Sequence, residues 1–189
     1  MCGIVGYVGG RRCLPILLSG LKNLEYRGYD SAGVAIMEKE LIEIRKESGR
    51  IAALENLIDT SSFLGNVGIA HTRWATHGVP CKENAHPHKD NSNTFAVVHN
   101  GIIENYKELR QLLEGYGYSF CSQTDTEVIP NLIQYYYSKK EKTKENFLNA
   151  VFKACKDFKG SYAILVLCKD FPNMQIVARR NSPLVIGVR

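Results

Sequence analysis

Met1-Cys2-Gly3-Ile4-Val5-Gly6 opens the chain, and the reading of this hexapeptide decides how the rest is assembled. Removal of Met1 puts a thiol and a free α-amine on one residue, a nucleophile and a base together. A thiol with a pKa of ~8.5 beside an amine at ~7.7–8.0 leaves part of the amine neutral at physiological pH, able to take the thiol proton directly or through water. The small Cys2 side chain permits removal of Met1. In the plain structural reading Cys2 is a small apolar residue at the head of a strand.

Working outward, Gly3 to Val8 is a short apolar run that reads as a buried strand. Leu14, Leu17, Leu18, Leu21 and Leu24 recur at three and four residues, a helix with Pro15 in its first turn. Ser31 to Met37 and Leu41 to Lys46 read as an antiparallel hairpin, followed by a short helix over Ile51 to Ile58. Val67 to Thr72 and Thr94 to His99 are further strands, separated by a long loop rich in His, Asn and Pro. Helices follow from Glu104 to Gly115, from near Thr124, and around Phe147 to Phe158. Thr124 and Glu127 have capping-box spacing, with Pro130 requiring a later start or a bend. Tyr162 to Leu167, Met174 to Ala178 and Leu184 to Val188 read as closing strands. Strands, then helices, then strands predict an α+β fold of stacked antiparallel sheets covered by helices, in one domain over residues 1–189. The last strand runs into Arg189 without a stop signal, so a domain cut short at its C-terminal end is expected.

At 189 residues, 44% of them hydrophobic, the chain suffices for one substantial core. No apolar run reaches the ~18–20 residues of a membrane span and the N-terminus lacks a signal-peptide pattern, so a cytoplasmic protein that does not contact a membrane is expected. The six cysteines include no CxxC pair, so free thiols are expected. The net charge is +5, but the one basic cluster, Lys139 to Lys144, lies between two helical stripes and reads as a solvated loop; no nucleic-acid partner is expected.

Three further clusters carry chemistry. His71-Thr72-Arg73-Trp74-Ala75-Thr76-His77-Gly78 follows one strand, His99-Asn100-Gly101-Ile102-Ile103 follows another, and Gln123-Thr124-Asp125-Thr126-Glu127 opens a helix. An acyl-transfer site on Cys2 needs an oxyanion hole, which the Asn100 side chain and the Gly101 N–H supply at a tight turn; the competing reading of Asn-Gly is a simple hairpin turn. Arg73 offers a fork for an amino-acid carboxylate and Asp125 a charge for its ammonium, though each is commonly a surface ion-pair partner. Trp74 is either a lid or a core anchor. All five histidines, His71, His77, His86, His88 and His99, fall in one stretch with Cys81. Their spacing fits no structural zinc pattern, so hydrogen bonding and packing are the expected role and no metal is expected.

Cys2 to Gly6, Leu24-Glu25-Tyr26-Arg27-Gly28-Tyr29-Asp30-Ser31-Ala32-Gly33, His71 to Gly78, Asn84-Ala85-His86-Pro87-His88 and His99 to Ile103 together resemble, in order and over nearly the whole chain, the N-terminal glutaminase domain of the glucosamine-6-phosphate synthase family. The resemblance implies an N-terminal nucleophile hydrolase fold, a four-layer α-β-β-α sandwich. It implies that Cys2 hydrolyses the side-chain amide of L-glutamine with its own amine as base, and that Asn100 and Gly101 form the oxyanion hole. Arg73, Thr76 and His77 bind the glutamine carboxylate end, Asp125 its amino group, Trp74 belongs to the closing loop, and Arg27 supports the site. It implies no cofactor. In full-length relatives the ammonia serves a sugar-phosphate isomerase half that converts fructose 6-phosphate to glucosamine 6-phosphate, in a homodimer; this chain holds no such half. The alternatives are the glutaminase domain of amidophosphoribosyltransferase or asparagine synthetase, and an inactive remnant that only binds glutamine or a partner.

Overall fold

The computed structural model describes residues 2–74 and 78–188. The first half forms β1 (Gly3–Val8), α1 (Cys13–Leu24), a 3-10 turn (Glu25–Arg27), β2 (Ser31–Glu38), β3 (Leu41–Ser48), α2 (Ile51–Leu57) and β4 (Val67–Arg73). The second half forms β5 (His88–Lys89), β6 (Phe95–Ile103), α3 (Tyr106–Gly115), α4 (Val128–Tyr137), α5 (Lys144–Asp157), β7 (Gly160–Cys168) and β8 (Gln175–Arg180). Two four-stranded sheets result, ordered β1-β4-β2-β3 and β5-β6-β7-β8, with every paired strand antiparallel.

Alternation along the strands builds the layers, because successive side chains point to opposite faces. On β2, Val34 and Ile36 pack with Leu14, Leu17 and Leu21 of α1 and Leu54 of α2, while Ala35 and Met37 face the other way, toward Ala96, Val98, Leu165 and Leu167 of the second sheet. On β6, Phe95 and Val97 instead join Leu113, Ile129, Leu132, Phe147 and Val151 of the second helical layer. The order is therefore helices, sheet, sheet, helices, and strands such as β7 are apolar on both faces because both are covered.

Three expectations need correction. The segment expected as a strand from Leu184 to Val188 forms none: Val185 and Val188 are more than nine-tenths exposed, and no described strand pairs with it, so its alternating pattern has no hydrogen-bonding neighbour. Asn100 and Gly101 are not a turn but lie inside β6, opposite Ala163 and Tyr162 of β7. The helix expected from Thr124 begins at Val128. Glu127 bonds backward instead, accepting from the Cys121 and Ser122 N–H groups at 3.0 and 2.7 Å. Pro130 thus sits in the first helical turn, where no intrahelical partner is lost. The basic run from Lys139 connects α4 to α5, as its polarity suggests.

Candidate active site

Register places the nucleophile. Gly3 pairs with Thr72, so Cys2 sits beside the end of β4, where the Trp74 N–H donates to its Sγ at 3.2 Å and the thiol faces the Trp74 carbonyl at 3.5 Å. Burial pushes the Cys2 thiol up, opposed by the Trp74 backbone hydrogen bond. A thiol held protonated needs a base before it can act as a nucleophile.

The second sheet meets this point edge on. Asn100 Nδ2 donates to the Cys2 carbonyl at 3.3 Å. Gly101 follows at a φ of 120°, where a Cβ would stand 2.1 Å from the Ser161 carbonyl oxygen; only glycine lets the backbone take this path against β7. The turn before α4 closes the third side: Asp125 Oδ2 accepts from the Ile103 N–H at 2.8 Å. Thr126 Oγ1 lies 2.8 Å from His86 Nε2 and 2.9 Å from His99 Nδ1.

Arg73 is buried at the end of β4. Its guanidinium reaches the Gly78 carbonyl at 3.1 Å and stands 3.7 Å from Asp30 Oδ1. Gly28 is required here, since a Cβ would lie 2.7 Å from the Arg73 carbonyl. The Tyr29 to Asp30 turn thus wraps the arginine, with the Asp30 N–H on the Arg73 carbonyl at 3.2 Å. Tyr29 meets Trp74 edge on at 5.4 Å. Trp74 is 48% exposed, so it is no core anchor.

Cys2, Arg73, Trp74, Gly101 and Asp125 line one cleft of about 20 Å³, together with His86, His99, Thr124 and Thr126. That volume holds about one water. A wider cavity of about 670 Å³ lies on the other side of Cys2, lined by Arg27, Trp74, Asn100 and residues 182–185. Arg27 therefore borders the site from the second cavity, apart from the Asp125 cleft. Thr76 and His77 lie outside the described residues.

Sequence reasoning did not assign His99, Thr124 or Thr126 to the site. Both stretches stand among the chemistry-bearing clusters, but residue type and spacing give Thr124 only a capping role, Thr126 none, and His99 one of hydrogen bonding and packing; the signal available was the alternation that sends His99 to the buried face of β6. Burial pushes His71 down to about 3 and holds His86, His88 and His99 below the ordinary imidazole range as well. Each is neutral at neutral pH. Among the described residues no group of three His, Cys, Asp or Glu is placed to hold a metal ion, and all six cysteines are free.

A half-buried cysteine at position 2, two facing antiparallel sheets and outer helices define the N-terminal nucleophile hydrolase class. A solved glutamine phosphoribosylpyrophosphate amidotransferase from B. subtilis superposes with a TM-score of 0.76 at 26% identity, covering 95% of this chain and 37% of that one. A family profile described as glutamine amidotransferase domain matches residues 71–187. The chain belongs to the glutamine amidotransferase domain family. Similar curated proteins are the glutamine–fructose-6-phosphate aminotransferases (isomerizing) of Clostridium perfringens, 54% identical, and Bacteroides thetaiotaomicron, 51% identical. Each alignment covers 100% of this chain and 30% of the relative; the chain spans under a third of their length.

Proposed function

We propose that the chain is the glutaminase part of a glucosamine-6-phosphate synthase, releasing ammonia from L-glutamine. The observation that carries the reading is the convergence of Cys2, Asn100, Gly101, Arg73 and Asp125 from four separate segments. The Cys2 amine takes the thiol proton as Sγ attacks the side-chain carbonyl carbon, and the oxyanion is held by the Asn100 amide and the Gly101 N–H. The amine returns the proton to the departing nitrogen, the C–N bond breaks, and ammonia leaves a γ-glutamyl thioester. Water then attacks the thioester, the amine accepting its proton; the C–S bond breaks, the amine returns the proton to Sγ, and glutamate departs.

Arg73, with Thr76 and His77, takes the substrate carboxylate, Asp125 takes the ammonium, Trp74 covers the cleft and Arg27 supports it. A cleft holding one water must widen before glutamine enters. The chemistry uses only protein groups. In the whole protein the ammonia passes to a sugar-phosphate isomerase half acting on fructose 6-phosphate, in a cytoplasmic homodimer. Identity of 54% to an aminotransferase of this kind, against 26% to the phosphoribosyl enzyme, favours this acceptor over the alternative.

The test is intact mass before and after exposure to an electrophilic glutamine analogue. The expected result is loss of Met1 and one adduct on Cys2, with glutamate release abolished and folding retained in Cys2→Ala. A folded, Met1-free protein that takes no adduct, or a Cys2→Ala variant that still turns over, sinks the proposal in favour of a non-catalytic remnant.

A further inference from the structure

His71 lies wholly buried on β4, one strand removed from the nucleophile. Its Nε2 stands 3.0 Å from the His99 carbonyl oxygen and 3.0 Å from Asn100 Oδ1. A backbone carbonyl can only accept, so Nε2 must carry the ring proton. The other ring nitrogen, Nδ1, has no hydrogen-bond partner among the described residues. An unpaired buried lone pair is tolerated more readily than an orphaned N–H, which argues for the same tautomer independently. Burial keeps the ring neutral, so there is one proton to place.

This proton decides which way the Asn100 amide faces. With the one Nε2–H shared between the His99 carbonyl and Asn100, the amide must present its oxygen to His71 and its NH₂ to Cys2, where it donates to the Cys2 carbonyl at 3.3 Å. Reversing the amide sets oxygen against the Cys2 carbonyl and NH₂ against an N–H, two repulsive contacts in place of two bonds. The ring itself is held: His86 stacks on it with centroids 4.1 Å apart, and His86 is fixed by Thr126.

We infer that His71 is the positioning residue of the oxyanion hole: its Nε2–H, anchored on the His99 carbonyl, locks the Asn100 side chain in the orientation that directs its N–H bonds toward the Cys2 side. The inference rests on the glutaminase reading of Cys2. His71 touches no reacting atom and acts through Asn100 alone, so its removal should affect the rate of the chemical step and leave glutamine binding to Arg73 and Asp125.

The experiment measures glutamate release against glutamine concentration for the purified protein and for His71→Ala, His71→Gln, His71→Asn, Asn100→Ala and the His71→Ala/Asn100→Ala double variant. Loss of one oxyanion donor costs ~10²–10³ in kcat; loss of its alignment in His71→Ala should cost about 10- to 100-fold in kcat with KM changed by less than about threefold. Glutamine carries its NH₂ near the Nε2 position and should regain most of the rate, whereas asparagine, which mimics Nδ1, should not. In the Asn100→Ala background the His71→Ala change should cost less than about threefold, because the two act as a unit.

A folded His71→Ala that alters KM alone, or that multiplies its full loss onto Asn100→Ala, overturns the assignment. Where His71→Ala fails to fold, the Gln and Asn variants decide: equal kcat in the two overturns it, and an active Gln beside an impaired Asn supports it. No release by the unsubstituted protein, or undiminished release by Cys2→Ala, strikes the glutaminase reading instead and is distinguishable from failure of the His71 assignment.

Discussion

At Gly101 the lack of a single methyl group lets β6 keep its path against β7. Its φ of 120° lies where side chains are strained, and a Cβ would press within 2.1 Å of the Ser161 carbonyl oxygen. Gly101→Ala should therefore destabilise the protein by about 2 kcal/mol or more, from backbone strain together with displacement of β6 from β7. It should also reduce glutamine turnover, because the same shift moves the Gly101 N–H. Urea unfolding and glutamate release measured on one preparation check this, and a variant of unchanged midpoint would show that the strand yields without cost. Cys2 and the Asn100-Gly101 pair are picked out as candidates by residue type alone. The backbone path is not legible in the same way: Asn-Gly carries the local signature of a hairpin turn, and only the long pairing of β6 with β7 holds it inside a strand.

Elements show the same division between local and distant causes. Helices α1 and α5 and strands β2 and β4 were readable because one apolar stripe or a compact apolar run states the face that is buried. Leu184 to Val188 has the same alternation but no neighbour, and pairing is not a property of the segment itself. Nor could the short β5 be read, since the His86-Pro87-His88 loop is fixed from another element. Lys46, on β3, sends its ammonium to the carbonyls of Ala85, Pro87 and Glu83 at 2.7, 3.2 and 3.3 Å. Burial lowers it to about 8, so it is still mainly charged at pH 7 and its bonds are charge-assisted. Lys46→Met, similar in length and without donors, should cost on the order of 2 kcal/mol. It should also hasten proteolytic cleavage near residues 82–87. A variant equal to the parent in both urea midpoint and cleavage rate would show that the loop is held by its own packing.

On the scale of the whole molecule, the two sheets are joined near the site by imidazoles as well as by hydrocarbon. His71 comes from the first sheet and His88 and His99 from the second, with His86, just before β5, against both His71 and His88, and all four are buried. His86 stacks on His71 at 4.1 Å and meets His88 edge on at 4.9 Å, and Thr124 and Thr126 hydrogen-bond the cluster from the turn before α4. Burial is the first cause of the lowered pKa of every one of them. Their folded values lie below the unfolded value of ~6.5, so under pH 6.5 the unfolded chain binds more protons than the native one and stability falls as pH falls. The loss starts near 6.5 and continues toward the folded values, about 3 for His71. Each histidine adds a slope of up to about 1.4 kcal/mol per pH unit once the unfolded state is protonated and the folded one is not. Carboxylates titrate near ~4, so the interval from pH 6.5 to 5.5 isolates the imidazoles. Urea midpoints should be level above about pH 7 and drop through that interval, and His88→Gln should flatten the drop, one buried imidazole being removed. Midpoints that stay level down to pH 5 would mean that the cluster takes up protons in the folded state, and the neutral ring assigned to His71 would fall with them.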